Sequence, residues 1–373
     1  MKRYFIHLRP EWPAFRWSGL ALAEPLLALA RRQGVLWGRL QGLGFETEAL
    51  LRTTAADVVT TSAIEGEMLD PGAVRSSVAR RLGIDEGGLQ PPDRRIDGVV
   101  DMMVDATREA SQPLTVQRLW RWHRWLFPVA PTARRVSALA GPPLVVGAWR
   151  DDRLGPMEVV SGAIGREHVH FTAPAAWRLH DEVTNFLAWF EGSAVDSAVI
   201  KAGLAHLWFV TIHPFDDGNG RIARAIADLA LSRGEGGQRF YSVSTRINRS
   251  RQDYYDILEA TQQGDLDVTP WLLWFVGCLG DAVTDALAYS ERSLDTGRFW
   301  SLHIGHHFNE RQRAMLNRLL GEDLVEVRTA DWARLCRCSP DTALRDIDAL
   351  VALSILDKGS AGGRSTRYRL VRR

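Results

Sequence analysis

One short stretch of the sequence concentrates the residue types that phosphate chemistry needs. It runs His213-Pro214-Phe215-Asp216-Asp217-Gly218-Asn219-Gly220-Arg221-Ile222-Ala223-Arg224. Gly218 and Gly220 allow close backbone approach and unusual dihedral angles, so consecutive N–H groups can converge on an anion. The glycines precede a predicted helix, whose first N–H groups and dipole favour phosphate. The stretch therefore predicts an anion-binding turn.

Four side chains of this stretch could do the rest of the chemistry. Arg221 and Arg224 lie three residues apart on one helix face, so both can reach the same phosphate chain. Asp217 offers the hard oxygen that Mg²⁺ prefers. His213 has an unperturbed pKa suited to deprotonating a hydroxyl near neutral pH. The alternative is a polar turn whose arginines form surface ion pairs; a Walker A loop is excluded because no G-x-x-x-x-G-K-[ST] occurs.

The stretch resembles the signature H-x-F-x-[DE]-G-N-G-R-x-x-R of the Fic family at every specified position. Fic proteins are α-helical enzymes that mostly transfer AMP from ATP to Ser, Thr or Tyr hydroxyls of proteins. The resemblance implies that His213 is the general base and that Phe215 is a buried anchor of the loop. It also implies that Asp217 holds Mg²⁺ between the α- and β-phosphates.

The phosphate contacts follow from the same resemblance. It implies an anion hole formed by Gly218, Asn219 and Gly220, with Arg221 on the phosphates and Arg224 on the γ-phosphate. ATP is therefore expected as the substrate and Mg²⁺ as the cofactor. These groups agree with the physical demands of AMP transfer, in which in-line attack on the α-phosphorus requires charge neutralisation on the leaving pyrophosphate.

A second motif lies upstream, in Thr61-Ser62-Ala63-Ile64-Glu65-Gly66. It is similar to the family's inhibitory pattern [ST]-x-x-x-E-[GN], with Thr61, Glu65 and Gly66 at the specified positions. The resemblance implies that Glu65 pairs with Arg224 and takes the place of the γ-phosphate, so that ATP binds unproductively. The same glutamate could instead position a water for removing AMP. The alternative is a surface glutamate near a helix end.

Two more segments resemble parts of the family. Short β-branched runs at 157–160 and 168–171, on either side of the glycines at 162–165, predict a β-hairpin. It resembles the family's flap, which aligns a target segment by strand addition; a purely structural hairpin is the alternative. Residues 244–255 resemble the region that closes over the nucleoside, where Tyr255 is either an adenine contact or a core tyrosine.

Apolar residues at helical spacing predict a mainly α chain. Leu20 to Leu51 predicts a helix that is broken at Gly34 and again at 42–44. Asp70-Pro71-Gly72 predicts a helix stop, and a short helix resumes from Val74 to Leu82. Further helices are predicted at 55–65, 96–109, 115–126, 175–190, 197–212, 221–232, 249–263 and 270–289.

The C-terminal part predicts a winged helix-turn-helix. Helices at 309–320, 329–336 and 341–353 precede extended pieces at 355–358 and 366–370. DNA binding would place the third helix in the major groove. The basic residues available for phosphate contacts in the wing are Arg364, Arg367 and Arg369.

The charge of the third helix argues against DNA. Asp341, Asp346 and Asp348 stand there against Arg345. Protein interaction or dimerisation is therefore as good an explanation as DNA binding.

Length and composition set the domain expectation. With 373 residues, 46% hydrophobic, the chain should hold two or three domains. We predict an N-terminal helical region carrying the inhibitory motif (1–90), a Fic catalytic core (91–290) and a winged-helix domain (305–373). Three cysteines indicate a reducing, cytoplasmic compartment. Neither a signal peptide nor a membrane helix is predicted.

Three functions remain open from the sequence. The first is an autoinhibited protein adenylyltransferase, which the subclass resemblance suggests is a homodimer acting on an unidentified target protein. The second is a nucleotide-sensing DNA-binding regulator with little transfer activity. The third is a relative that uses another donor, such as a different nucleoside triphosphate. The presence of His213 favours a transferase, since sensing alone needs no general base.

Overall fold

The computed structural model describes residues 4–43, 46–84, 88, 90–128, 144–153, 155–162, 166, 168–236, 239–321, 324–359 and 366–371. The chain forms two compact units, Met1–Ala286 and Leu287–Arg373. The helices of the first unit are α1 (Gly19–Leu43), α2 (Glu46–Ile64), α3 (Pro71–Leu82), α4 (Arg94–Arg108), α5 (Val116–Leu126), α6 (Leu179–Glu191), α7 (Ala198–Ile212), α8 (Asn219–Gly234), α9 (Val243–Arg249) and α10 (Arg251–Gln262). The mainly α fold is confirmed.

Helix α1 continues through Gly34, so the predicted break at that position is wrong. A glycine inside a helix costs about 1 kcal/mol relative to alanine. Burial of Leu29, Leu36 and Leu40 on one face of α1 offsets this cost. The second predicted break is close to the observed one, since α1 ends at Leu43 and α2 begins at Glu46.

The prediction of a helix stop at Asp70-Pro71-Gly72 is also wrong, because these residues begin α3. The Asp70 side chain accepts a hydrogen bond from the backbone N–H of Ala73 (2.7 Å). Proline is tolerated in the first turn, where its missing N–H would have no intrahelical partner. Gly83, in the left-handed region at φ +69°, ends the helix.

The helical hairpin of α7 and α8 forms the centre of the first unit. Helix α7 is apolar around its whole circumference and almost entirely buried, and α8 packs against it with most of its side chains buried. Ser197 caps α7 by accepting from the N–H of Ile200. Because α7 is surrounded on all sides, the loop between the two helices has a rigid base on which side chains can be held precisely in place.

The predicted β-hairpin is confirmed. Strands β1 (Glu158–Ser161) and β2 (His168–Thr172) pair antiparallel, with Ser161 opposite His168 and an irregularity between Val159 and Val160. Of the turn predicted at 162–165, Gly162 is described and has φ +104°, whereas residues 163–165 lie outside the described residues. The side chains of β1 are exposed, whereas Phe171 of β2 is buried against Phe5.

Two helix predictions differ from the structure in their bounds. The helix predicted at 249–263 is α10, which begins at Arg251, and the separate helix α9 lies before it, where no helix was predicted. The helix predicted at 270–289 is α11 (Thr269–Leu302). Among the described helices, α11 is the one long and apolar enough to cross a membrane, with mean hydropathy 1.3 over a window that is 56% buried. Buried core helices have the same composition.

The second unit holds three further helices, α12 (Glu310–Leu320), α13 (Thr329–Leu335) and α14 (Pro340–Ala352), and an antiparallel pair, β3 (Leu356–Lys358) and β4 (Tyr368–Leu370). This order matches the predicted one, and the winged-helix assignment itself stays a prediction. Ser339 caps α14 as expected. Arg364, which was predicted as a phosphate contact of the wing, lies outside the described residues.

Helix α14 exposes fewer acidic side chains than its sequence indicates. Asp346 is buried, where it accepts hydrogen bonds from Asn309 (2.8 Å) and Arg311 (2.7 Å), so it does not contribute to an exposed acidic face. Arg369 of the wing pairs with Glu326 at 2.9 Å, and Arg367 contacts the same carboxylate. These pairs reduce the positive charge that the wing could offer to phosphates.

Candidate functional site

We use the name loop 213–224 for the connection from α7 to α8 together with the first residues of α8, and an aromatic stack supports it. Phe215 is fully buried and stacks on His123 of α5, with ring centroids 4.2 Å apart and planes 6° from parallel. The Asn219 side chain accepts from the Phe215 N–H (3.0 Å) and donates to the Phe215 carbonyl (2.8 Å). These contacts fix the loop backbone without using the groups that face outward.

His213 ends α7 in the left-handed region, at φ 50°. Its Nδ1 lies 3.2 Å from the Val210 carbonyl, and its own carbonyl accepts from Arg150 Nε (2.7 Å). Burial lowers the pKa of His213 to about 4. The hydrogen bond to the Val210 carbonyl raises this pKa, and the charge of Arg150 lowers it further. The imidazole is therefore neutral at neutral pH, which is the form that can accept a proton.

The glycine turn presents the first turn of α8 to the site. Gly218 has φ +80°, and Asp217 Oδ1 accepts from its N–H at 2.5 Å while the Asp217 side chain stays exposed. The first N–H groups of α8, which begins at Asn219, have no intrahelical acceptor by helix geometry. A Cβ on Gly220 would collide with Glu65 Oε1, so that carboxylate lies directly over the turn.

Arg224 is held by the end of α2. Its Nε donates to Thr61 Oγ1 (2.7 Å), and its Nη2 donates to the Thr61 carbonyl (3.0 Å) and to Glu65 Oε1 (2.7 Å). Burial opposes the charge on Glu65, but Arg224, with help from Arg221 and Arg251, brings the pKa of Glu65 below its usual value. Glu65 is therefore ionised at neutral pH.

Arg221 meets a carboxylate that sequence reasoning missed. Its Nη1 donates to Glu67 Oε2 at 3.0 Å, and its guanidinium lies 5.1 Å from the Phe127 ring centroid. Each of the two arginines also has a buried donor without an acceptor among the described residues, Arg221 Nε and Arg224 Nη1. Ordered water or a bound anion can supply the acceptor that a buried donor of this kind needs.

Tyr255 lies beside the end of α2 and not in the core. Its hydroxyl donates to the Ile64 carbonyl at 3.3 Å, its side chain is exposed, and its ring lies 5.6 Å from the Arg251 guanidinium. The core tyrosine is its neighbour Tyr254, which is buried against His206. The structure therefore brings Tyr255, segment 61–66 and loop 213–224 into one region.

Three residues of the site were not predicted from the sequence, and two of them carried no recognisable signal there. Arg150 binds the carbonyls of His213 and Pro174 from a segment without regular structure. His123 is held neutral between the Gly147 N–H and the Asp217 carbonyl, and burial lowers its pKa to about 4. Glu67 could have been suspected, since it repeats the acidic residue on the other side of Gly66.

Two family models match parts of the chain. Residues 113–231 match the Fic/DOC family, and residues 5–84 match a domain of unknown function (DUF4172). A crystal structure of a Fic family protein from Desulfovibrio desulfuricans G20 superposes with a TM-score of 0.54 at 21% identity, over 96% of this chain and 98% of that one. That likeness concerns the fold.

Curated relatives match over shorter stretches. A protein adenylyltransferase Fic from Nematostella vectensis is 36% identical over 232 residues, which are 61% of this chain and 47% of that protein. A uridine 5'-monophosphate transferase from Xanthomonas campestris pv. campestris is 28% identical over 146 residues, 35% of this chain and 23% of that protein. The chain thus spans between about a quarter and a half of the length of these relatives.

Proposed function

This chain is a Fic family protein, and on that premise we propose that it transfers AMP from ATP to a Ser, Thr or Tyr hydroxyl of a target protein and is restrained by Glu65. The family match and the named relatives support nucleotide transfer at the level of the family. The observation that carries the proposal is the pair of buried donors without acceptors, Arg221 Nε and Arg224 Nη1, at a helix start beside a neutral imidazole. Such donors match the oxygens of a polyphosphate.

The proposed reaction is an in-line displacement at the α-phosphorus. His213 takes the proton of the target hydroxyl, and the hydroxyl oxygen forms a bond to the α-phosphorus. The bond from that phosphorus to the bridging oxygen breaks, and pyrophosphate leaves with the electron pair. The N–H groups at the start of α8 and the guanidinium of Arg221 stabilise the charge that develops on the pyrophosphate.

Mg²⁺ is the metal expected beside these phosphates. Asp217 presents an exposed carboxylate at the edge of the turn, with one oxygen fixed by the Gly218 N–H. One carboxylate together with phosphate oxygens and waters is the donor set that Mg²⁺ usually takes. The residues therefore fit the ion, which when bound neutralises charge on the α- and β-phosphates.

The proposed brake works by competition for one arginine. Glu65 pairs with Arg224 and its carboxylate lies over Gly220, so a γ-phosphate needs the position that the carboxylate has. ATP must displace Glu65 to bind productively. The same carboxylate could hold a water for removing AMP from a modified target, which makes deAMPylation a second activity of the proposed site.

The first experiment measures self-labelling of the purified chain from ATP labelled at the α-phosphate. Glu65→Gly should raise labelling about a hundredfold, which corresponds to removing a barrier of about 2.7 kcal/mol. His213→Ala in the Glu65→Gly background should remove the label. Glu48→Gln, at an exposed carboxylate of the same helix, is the matched control and should label like the parent. Equal labelling of the parent and Glu65→Gly would refute the brake.

The donor is tested in the same assay. The Xanthomonas relative favours UMP transfer as the second candidate, so labelled UTP, GTP and CTP are compared with ATP on the Glu65→Gly chain. We expect ATP to be the preferred donor. Preferential labelling from UTP would replace AMP by UMP in the proposal. A chain that binds labelled ATP but transfers from no donor would instead support the nucleotide-sensing regulator.

A further inference from the structure

The flap hairpin and helix α10 share a group of metal-ligating side chains outside the proposed active site. His168 and His170 belong to β2, and Glu259 belongs to α10. One ligand atom from each of the three lies within 4.8 Å of the others. Residues two apart on a strand point to the same face, so both imidazoles approach the carboxylate from one side. We propose that these three residues bind a zinc-class divalent cation that pins the flap to α10.

The donor set is suited to such an ion. Two imidazole nitrogens and one carboxylate oxygen are a common ligand set for Zn²⁺, which leaves the fourth position for water. Neutral imidazoles distinguish the set from the oxygen ligands that Mg²⁺ and Ca²⁺ take. His170 Nδ1 lies 2.6 Å from Glu259 Oε2, and the His168 and His170 ring centroids are 4.7 Å apart.

Hydrogen bonds to neighbouring residues already hold the side chains of two of the ligands, His170 and Glu259. His170 Nε2, on the far side of its ring, lies 2.6 Å from Ser161 Oγ. Gln263 Nε2 donates both to Glu259 Oε1 (2.8 Å) and to the His170 carbonyl (3.1 Å). Outer hydrogen bonds of this kind fix the tautomer and direction of metal ligands. His168 is the exposed member, and its ring must approach the other two ligand atoms to give bonds of about 2 Å.

Occupancy would couple two parts of the molecule that the proposed reaction uses. The hairpin supplies both histidines and Ser161, and α10 carries Glu259 one turn after Tyr255. An ion held by both elements restrains the hairpin on the helix. The proposal does not depend on AMP transfer, because binding of the ion and ordering of the hairpin can both be measured without a nucleotide.

The test uses the full chain after treatment with a chelator. Zn²⁺ alone is titrated in competition with a colorimetric chelating dye. We expect one ion per chain whose affinity falls about tenfold or more in His168→Gln and in Glu259→Gln. His306→Gln is the matched control, because His303 and His306 form another histidine pair, with Nδ1 atoms 3.3 Å apart.

Hydrogen exchange gives a second readout. Zn²⁺ should slow exchange of the β1 and β2 amides in the parent and in His306→Gln, but not in His168→Gln. Unchanged affinity in both His168→Gln and Glu259→Gln, or loss of affinity confined to His306→Gln, would overturn the site. Binding without any slowing of hairpin exchange would overturn the pinning.

An independent observation concerns Glu67. Helix α2 ends in a Schellman motif, in which the N–H groups of Gly66 and Glu67 return to the carbonyls of Ala63 and Ser62, both at 3.0 Å. Gly66 takes the left-handed conformation that this motif needs, at φ +83°. The chain reverses there, so the carboxylates on both sides of Gly66 meet the same face of α8.

We infer that Glu67 is a second inhibitory carboxylate, which holds Arg221 as Glu65 holds Arg224. The Arg221 side chain is 7% exposed, and Glu67 is the carboxylate that pairs with it. A polyphosphate must therefore displace two carboxylates of one short segment. This inference rests on the proposed function for its biological meaning.

Binding of Mg·ATP and of inorganic tripolyphosphate tests the second inference without any transfer step. Glu67→Gln should raise both affinities about three- to tenfold, and should add to the gain of Glu65→Gln. Glu48→Gln is again the control. If Glu67→Gln binds like the parent and the double variant binds like Glu65→Gln, the role of Glu67 is overturned. Tighter binding without label transfer from any donor would instead count against the proposed function alone.

Discussion

Helix α2 meets the region of α8 at two points, and the two contacts are built differently. Near its middle, Asp57 pairs with Arg239 (2.9 Å), which also pairs with Asp228 (2.7 Å), and all three side chains are at most 3% exposed. At its end, Glu65 and Glu67 are 32% and 35% exposed. We call the first contact the anchor and the second the brake.

The difference shows which contact can yield. Asp228 follows Arg224 by one helical turn, and Asp57 precedes Glu65 by two turns, so the anchor fixes where the brake carboxylates stand. Breaking a buried pair leaves an uncompensated charge, whereas a part-exposed carboxylate can return to water. In the proposed function, a polyanion displaces the two carboxylates of the brake while the anchor keeps α2 in place.

The largest expected effect comes from breaking the anchor. Arg239→Met leaves two buried carboxylates facing each other and should lower the opening free energy of α2 by about 3–5 kcal/mol. Native-state hydrogen exchange of the α2 and α8 amides measures this. Arg246→Met is the matched control, since its partners Asp281 and Asp285 are largely exposed, and it should cost less than about 1 kcal/mol. Equal losses in the two variants would contradict the distinction.

The anchor should give a pH effect of intermediate size that the brake does not give. Burial raises the pKa of Asp228 from 3.8 to about 7. The charge of Arg239 lowers this pKa, and the charge of Asp57 raises it. Between these values the folded chain holds a proton that the unfolded chain has lost, so the free energy of unfolding falls as the pH rises. The brake carboxylate Glu65 has a lowered pKa and titrates below this window.

Asp228→Asn removes that titration. Relative to the parent, its free energy of unfolding should rise by about 2 kcal/mol between pH 5 and pH 7. Urea unfolding at several pH values, monitored by hydrogen exchange of the α8 amides, gives the difference in unfolding free energy between the variant and the parent. Asp281→Asn, at an exposed position, should keep the slope of the parent. An Asp228→Asn curve parallel to that of the parent would show that Asp228 is ionised throughout.

The sequence predicts the brake better than it predicts the anchor. Residue types and spacing in the contiguous stretch 213–224 single out His213 and Arg224, and the resemblance of segment 61–66 to the family's inhibitory pattern singles out Glu65. The anchor joins Asp57 to Arg239 across 182 positions, and Glu67 joins Arg221 across 154. A local pattern carries no information about which distant charges share a buried site.

The two wrong helix predictions have a related cause. At Gly34 the local propensity was overridden by burial of leucines whose partners are remote in the sequence. Asp70-Pro71-Gly72 contains the same residue types that begin and end helices, and only the Asp70 side chain on the Ala73 N–H decides that it begins one. Residues that mark the end of a helix are therefore easy to recognise in a sequence. Whether they begin the helix or terminate it is harder to predict.

The smallest expected effect on stability comes from the brake. Glu65→Gln and Glu67→Gln keep an oxygen that can accept from Arg224 or Arg221, and each lost charge is part-exposed, so each should cost less than about 1 kcal/mol of unfolding free energy. Glu48→Gln, which alters the exposed pair with Arg75, sets the scale for an ordinary surface pair. Thermal unfolding of the four chains side by side gives the ranking. A loss of 3 kcal/mol or more in either brake variant would mean that α2 is held by both contacts, and a polyphosphate could then not release the brake without loosening the helix.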